Sequence, residues 1–211
     1  MTREEQRRVK EVRKQLEVCI KRLTKGCDFQ KINGYVYKFV GDFVYVAILS
    51  IPPVDAGKNL RIDFFYKPWI LDEVFWDVFN VIEGPKQPMS FHVQGAFTAP
   101  LVLVENYKVA VSSIEDMDTI YGAVLGELDG KIEEHHQRVY DLKTFLLDLE
   151  SYKHQFLNRI LAEIYQQRYR AAIDLLEIAI FQGETGGFAD SSQKNILQYA
   201  LGYCQKLINE E

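Results

Sequence analysis

Val9, Val12, Leu16, Cys19, Ile20 and Leu23 recur at three- and four-residue steps, the spacing that lines up side chains on one face of an α-helix. Thr2 followed by Glu5 is the signature of a capping box ahead of this run, and Gly26 stands where a helix stops. The pattern predicts an amphipathic helix of about six turns. From Phe29 the period shortens to that of strands. Residues 29–32 and 35–40 flank Asn33-Gly34, a pair that accepts the positive φ angles of a two-residue hairpin turn. Gly41-Asp42 is the next turn and feeds 43–51, where both alternating sets are apolar, so a central strand buried on both faces is expected. Pro52-Pro53 ends it, 54–59 reads as a loop, and 60–67 as a strand completing a further hairpin. Pro68 closes that strand, and Ile70, Val74, Phe75, Val78 and Phe79 space as a short helix over the sheet. After a loop at 83–88, residues 89–97 and 100–111 are the last strand candidates, with Asn106 as a turn position.

From Ser113 the period is helical again, with Ser113 and Asp116 as a second capping pair. Apolar positions from Ile114 to Leu149 keep this spacing, and His135 falls in the one intervening slot. Gly122, Gly126 and Gly130 lie four apart, where missing side chains would let another helix come close, and Gly130 is a candidate break. Two further helical runs cover 156–164 and 172–180 and stop at the glycines of 183–187. Asp190 or Ser191 is expected to cap a last helix carrying Ile196, Leu197, Ala200 and Cys204. Strands first and helices later predict an α+β fold: an N-terminal amphipathic helix, a largely antiparallel sheet of five to seven strands, and a C-terminal helical bundle. The expected division is 1–112 and 113–211, with a single domain as the alternative.

Charge changes this picture in one place. The net charge is −5, yet residues 1–31 hold ten Lys/Arg against five Asp/Glu. Arg3, Arg7, Lys10, Lys14, Lys21 and Lys25 form a basic stripe opposite the apolar face of the first helix. Such a stripe is a solvated face or a surface for an acidic protein partner; the acidic remainder of the chain argues against nucleic acid. The charged opening residues leave no apolar core for a signal peptide, and no apolar run reaches the length of a membrane span. Three cysteines, at 19, 27 and 204, make neither a disulfide framework nor a zinc motif, so a reducing, cytoplasmic setting is expected.

Familiar chemistry fails on geometry. Adjacent His135 and His136, after Glu133 and Glu134, point about 100° apart on a helix, whereas a zinc pair needs i, i+4 spacing, so the cluster reads as solvated surface. His154 with Glu150 reads the same way. His92 alternates with Phe91 and Val93 and is expected exposed or hydrogen-bonded. Gly57-Lys58 lacks the other residues of a phosphate loop. No metal site, cofactor or catalytic set is therefore predicted. The most informative polar segment is Arg61, Asp63 and Lys67 on one strand face, followed by Trp69, Asp72, Glu73, Trp76 and Asp77. These residues line a binding groove, with Asp63 and Lys67 as an acid/base pair, or form a salt-bridge ladder beside a helix with an acidic first turn.

Phe29, Lys31, Asn33, Gly34, Tyr37 and Lys38, with the segment from Lys67 to Trp76, resemble bacterial α+β domains of unknown function, over about the first third of the chain. The resemblance implies fold and a bacterial origin but carries no catalytic residue. Ala162, Tyr165, Ala172 and Ala179 resemble a tetratricopeptide helical hairpin, although a second copy at the repeat period is missing. The function expected is that of a non-enzymatic protein-binding, immunity or accessory module that pairs with itself or another protein. The alternatives are an enzyme with a groove around 61–77 and a helical scaffold using 113–211.

Overall fold

The computed structural model describes residues 1–32, 34–81, 83–94, 98–152, 155–187, 189–190 and 192–210, and it is an α+β protein. Helix α1 (Arg3–Leu23) opens with the expected box: Glu5 N donates to Thr2 Oγ1 and Thr2 N to a Glu5 carboxylate oxygen. Strands β1 (Gln30–Ile32), β2 (Tyr35–Val40), β3 (Phe43–Ser50), β4 (Asn59–Pro68) and β5 (Val102–Ala110) form one antiparallel sheet in chain order. Ile32 opposite Tyr35 shows the two-residue hairpin connection; Asn33 itself lies outside the described residues. β3 is central and Phe43 to Ala47 are all buried, as a strand apolar on both faces requires. A register shift between Phe64 and Phe65 marks an irregularity in the β4–β5 pairing. β5 runs unbroken through Asn106, which pairs with Asp63, so no turn forms there.

Helices α2 (Ile70–Phe79) and α3 (Met89–Gln94) separate β4 from β5. Residues 89–94, expected as a strand, are helical. An alternating pattern of six residues is too short to exclude one and a half turns of helix, and Phe91 N bonds Pro88 O to start it. After β5 come α4 (Met117–Arg138), α5 (Leu142–Asp148), α6 (Phe156–Tyr165), α7 (Tyr169–Phe181) and α8 (Ile196–Glu210). The Ser113–Asp116 box does not form: Ser113 Oγ takes Glu115 N, and α4 starts at Met117 with Ile120 N on Asp116 O. The break after α4 falls at 139–141 instead of Gly130, where Asp141 accepts Thr144 N at 2.7 Å in a capping box of its own. At α8 the box is made by Asn195 and Gln198, not by Asp190. No helix among the described residues is long and apolar enough to cross a membrane.

Two compact units share the chain, one made of 1–66 with 102–138 and the other of 67–101 with 139–211. Against the division near 112 read from pattern, each unit takes two segments. In the first, α1 packs on α4, and α4 covers the sheet face that carries Phe43, Tyr45 and Tyr66. His135 is buried there against Tyr66, with ring centroids 4.3 Å apart, while Glu133 and Glu134 face solvent. The cluster expected as solvated surface therefore turns one histidine into the core. Gly122, Gly126 and Gly130 face open space, since an added Cβ would meet nothing within 4 Å at any of them. The expected close helix approach is absent at this stripe among the described residues. In the second unit α2 packs on α6 and α8, and α6, α7 and α8 pack in succession. Ala162, Ala172 and Ala179 are fully buried in these helices, whereas Tyr165 is exposed.

Candidate functional site

The charged segment 61–77 contributes to two different clusters. On β4, Arg61 stands opposite Lys108 of β5, a like-charge pairing that costs stability unless each charge finds a carboxylate. Arg61 bonds Asp63 at 2.9 Å and Lys108 bonds Asp55 at 2.8 Å. Here the ladder reading holds. The Asp63–Lys67 pair does not form, because Lys67 is turned into the interior of the second unit and is fully buried.

Lys67 Nζ bonds both oxygens of Asp72 at 2.7 and 2.8 Å, the His92 carbonyl at 2.8 Å, the Ala99 carbonyl at 3.2 Å and the Thr98 hydroxyl. Asp72 Oδ1 also accepts from Thr98 Oγ1 at 2.6 Å and from Ala99 N at 2.9 Å. Burial pushes the Lys67 ammonium below its ordinary range, and the Asp72 carboxylate opposes that shift. The pair ties four pieces of chain together: the end of β4, the first turn of α2, α3, and residues 98–99. Asp72 also lies where a carboxylate suits the helix N-terminus, while Glu73 and Asp77 point to solvent.

Directly above this anchor sits His92. Its Nε2 is 2.8 Å from the Gln87 carbonyl, which can only accept, so Nε2 carries the hydrogen. The ring centroid lies 4.9 Å from both Trp69 and Trp76, the chain's two tryptophans. Nδ1 is buried and has no hydrogen-bond partner among the described residues, and His92 is only 3% exposed. An orphaned acceptor of this kind costs about 1–3 kcal/mol.

A cavity of about 370 Å³ opens here, lined by Trp76, Val81, Gly84, Gln87, Phe91 and His92. Its shape comes from the end of α2. Asn80 takes the left-handed conformation (φ 54°), and Val81 N reaches back to Trp76 O at 2.8 Å, which turns the chain over the indole. Gly84 then lies flat on the Trp76 ring; any Cβ there would collide with the indole. The volume falls in the range of small-molecule sites, and a mainly apolar lining with a few polar residues, here Gln87 and His92, is their usual make-up. Among the described lining residues His92 is the one ionisable side chain. Protein-family models, curated proteins and solved structures give no match to this chain.

Of the residues expected at a site, Lys67, Trp69, Asp72 and Trp76 converge here, Arg61 and Asp63 pair on the sheet, and Glu73 is exposed. The basic stripe Arg3, Arg7, Lys10, Lys14 and Lys21 is exposed along α1. His92 is the residue that sequence reasoning missed. Its only sequence signal is a polar residue between Phe91 and Val93, read as exposed or hydrogen-bonded; the ring is hydrogen-bonded through Nε2 and buried. No group of three or more His, Cys, Asp or Glu among the described residues is arranged to hold a metal ion.

Proposed function

We propose that the protein is a non-enzymatic binding protein whose second unit takes a small apolar, ring-containing molecule in the cavity beside Trp76 and His92. The observation that carries this reading is a cavity of ligand size walled by Trp76, Val81, Phe91 and His92, with the backbone of Gly84 laid against the indole. A binding role fits better than catalysis because His92 has no acid, hydroxyl or thiol beside it among the described lining residues. The ion pair Lys67–Asp72 is fully buried and ties its neighbouring segments together.

The chain reports on its own site, since both tryptophans touch His92. Titration with phenol and anisole should change tryptophan emission saturably, and Val81→Phe, which fills the cavity, should abolish the change. An emission that responds to neither compound would remove the reading.

A protein partner is the second reading, favoured by the exposure of the whole basic stripe on α1. Retention on immobilised poly-glutamate that falls with salt and is lost in Arg7→Ala/Lys10→Ala/Lys14→Ala supports it; equal retention of the variant would count against it.

A further inference from the structure

Resting on the acidic-partner reading above, we infer that the exposed face of α1 receives a helix of another protein that carries carboxylates along one side. The basic residues of α1 divide into two sets. Arg8 and Arg13 turn back onto their own unit, bonding Val111 O at 3.4 Å and Ile51 O at 2.9 Å, and Arg22 pairs with Asp118. Arg3, Arg7, Lys10, Lys14 and Lys21 are exposed, and among the described residues none of these five forms an ion pair, although Glu11 and Glu17 stand one turn from Arg7 and Lys21. Arg3 with Arg7, Arg7 with Lys10, and Lys10 with Lys14 are like-charge neighbours three or four residues apart, an arrangement that costs helix stability. A line of carboxylates laid on this face removes the repulsion.

Spacing chooses among anionic partners. Arg3, Arg7, Lys10, Lys14, Glu17 and Lys21 follow one another by alternating steps of four and three residues, the repeat of about 3.5 residues that forms the seam between two helices. The line is about 27 Å long, with a charge about every 5 Å. A second helix lying along it presents side chains at the same interval, so successive carboxylates meet successive cations. An extended acidic tail brings same-face side chains round only every 6.8 Å or about that, and falls out of step within a few residues. A nucleic acid is disfavoured by the net charge of −5. Glu17 sets the register, because a carboxylate opposite it would be repelled. Val18, 47% exposed beside the line, gives the partner helix an apolar contact.

Two labelled peptides of one composition, built from Glu, Ala and Gln, separate the outcomes. In the first every Glu falls on the alternating four-and-three positions; in the second the same Glu residues are spread evenly around the helix. Fluorescence anisotropy at low salt should show wild-type protein binding the first about tenfold more tightly than the second, with affinity falling as salt rises. Glu17→Lys should strengthen binding of the first peptide and Lys10→Glu/Lys14→Glu should abolish it; all three positions are exposed, so both variants should fold. Equal affinity for the two peptides would overturn the helix inference and leave the acidic-partner reading standing, as would Glu17→Lys binding the first peptide no better than wild type does. Binding of neither peptide, with no retention on poly-glutamate, would overturn both. Binding to phosphatidylserine vesicles but to neither peptide would assign the face to a lipid surface and overturn both as well.

Discussion

Lys67→Met is the sharpest perturbation of the scaffold under the cavity. Methionine keeps most of the stem volume and deletes the ammonium, so Asp72 Oδ2 and the Ala99 carbonyl lose their donor together and the His92 carbonyl keeps only the Thr98 hydroxyl. The intact pair adds little beyond what two apolar side chains would give, because the cost of taking both charges from water offsets their attraction; half of it is costly. With both side chains fully buried, the single change should cost about 3–5 kcal/mol. The double variant Lys67→Met/Asp72→Leu should recover part of that, because the buried unpaired charge is gone while the N–H and carbonyl of Ala99 stay without partners. Urea unfolding followed by tryptophan emission reads the second unit, where both tryptophans lie. At a slope of about 2 kcal/mol per M, the single variant's midpoint should fall by about 2 M. A cost below about 1 kcal/mol, or a double variant no more stable than the single, would refute the reasoning.

Gly84→Ala places a methyl against the Trp76 indole and should cost about 1–3 kcal/mol by overpacking, with a shifted emission maximum and weaker ring binding. Gly126→Ala on α4 meets open space and should stabilise the first unit by up to about 1 kcal/mol in thermal melts; destabilisation would mean that something packs on the stripe. The Asp190 carboxylate, bonded by the Ser192 hydroxyl and then by Tyr199, is drawn down to about 2. A lowered folded value means that its stabilising bonds are present above the ordinary carboxylate range and lost as pH falls through the folded one. Amide protection factors over 192–198 should therefore fall between about pH 4 and about pH 2 in wild type, and Asp190→Asn should flatten that dependence.

Local rules carried the sequence reading wherever one residue decides. Thr2 and Glu5 cap α1, the two-residue connection closes the first hairpin, and Phe43 to Ala47 occupy a strand buried on both sides. The misread segments are those where the rule was present but applied one site away. Asn195 with Gln198 and Asp141 with Thr144 are both capping pairs in plain view, yet Asp190 and Gly130 were the expected signals. The α3 segment shows a deeper limit: six residues alternate like a strand and fold as a helix because the stretch is too short for period to decide. The site was half legible. Lys67, Trp69, Asp72 and Trp76 stood out as charge among aromatics, but their roles depend on Thr98, Ala99 and His92 arriving from a segment 20 to 30 residues on, and a tertiary contact of that range leaves no periodic trace.

The wall of the cavity beside Trp76 carries its own reporter in His92. With four histidines in the chain, a long-range proton–nitrogen NMR spectrum of labelled imidazoles resolves His92 directly, assigned by its loss in His92→Phe. The structure predicts the Nε2–H tautomer in the neutral ring, and a change in the His92 ring signals on adding phenol or anisole, because the ring lines the cavity. A proton resident on Nδ1 in the neutral ring, or His92 signals unmoved by saturating phenol and anisole, would contradict this.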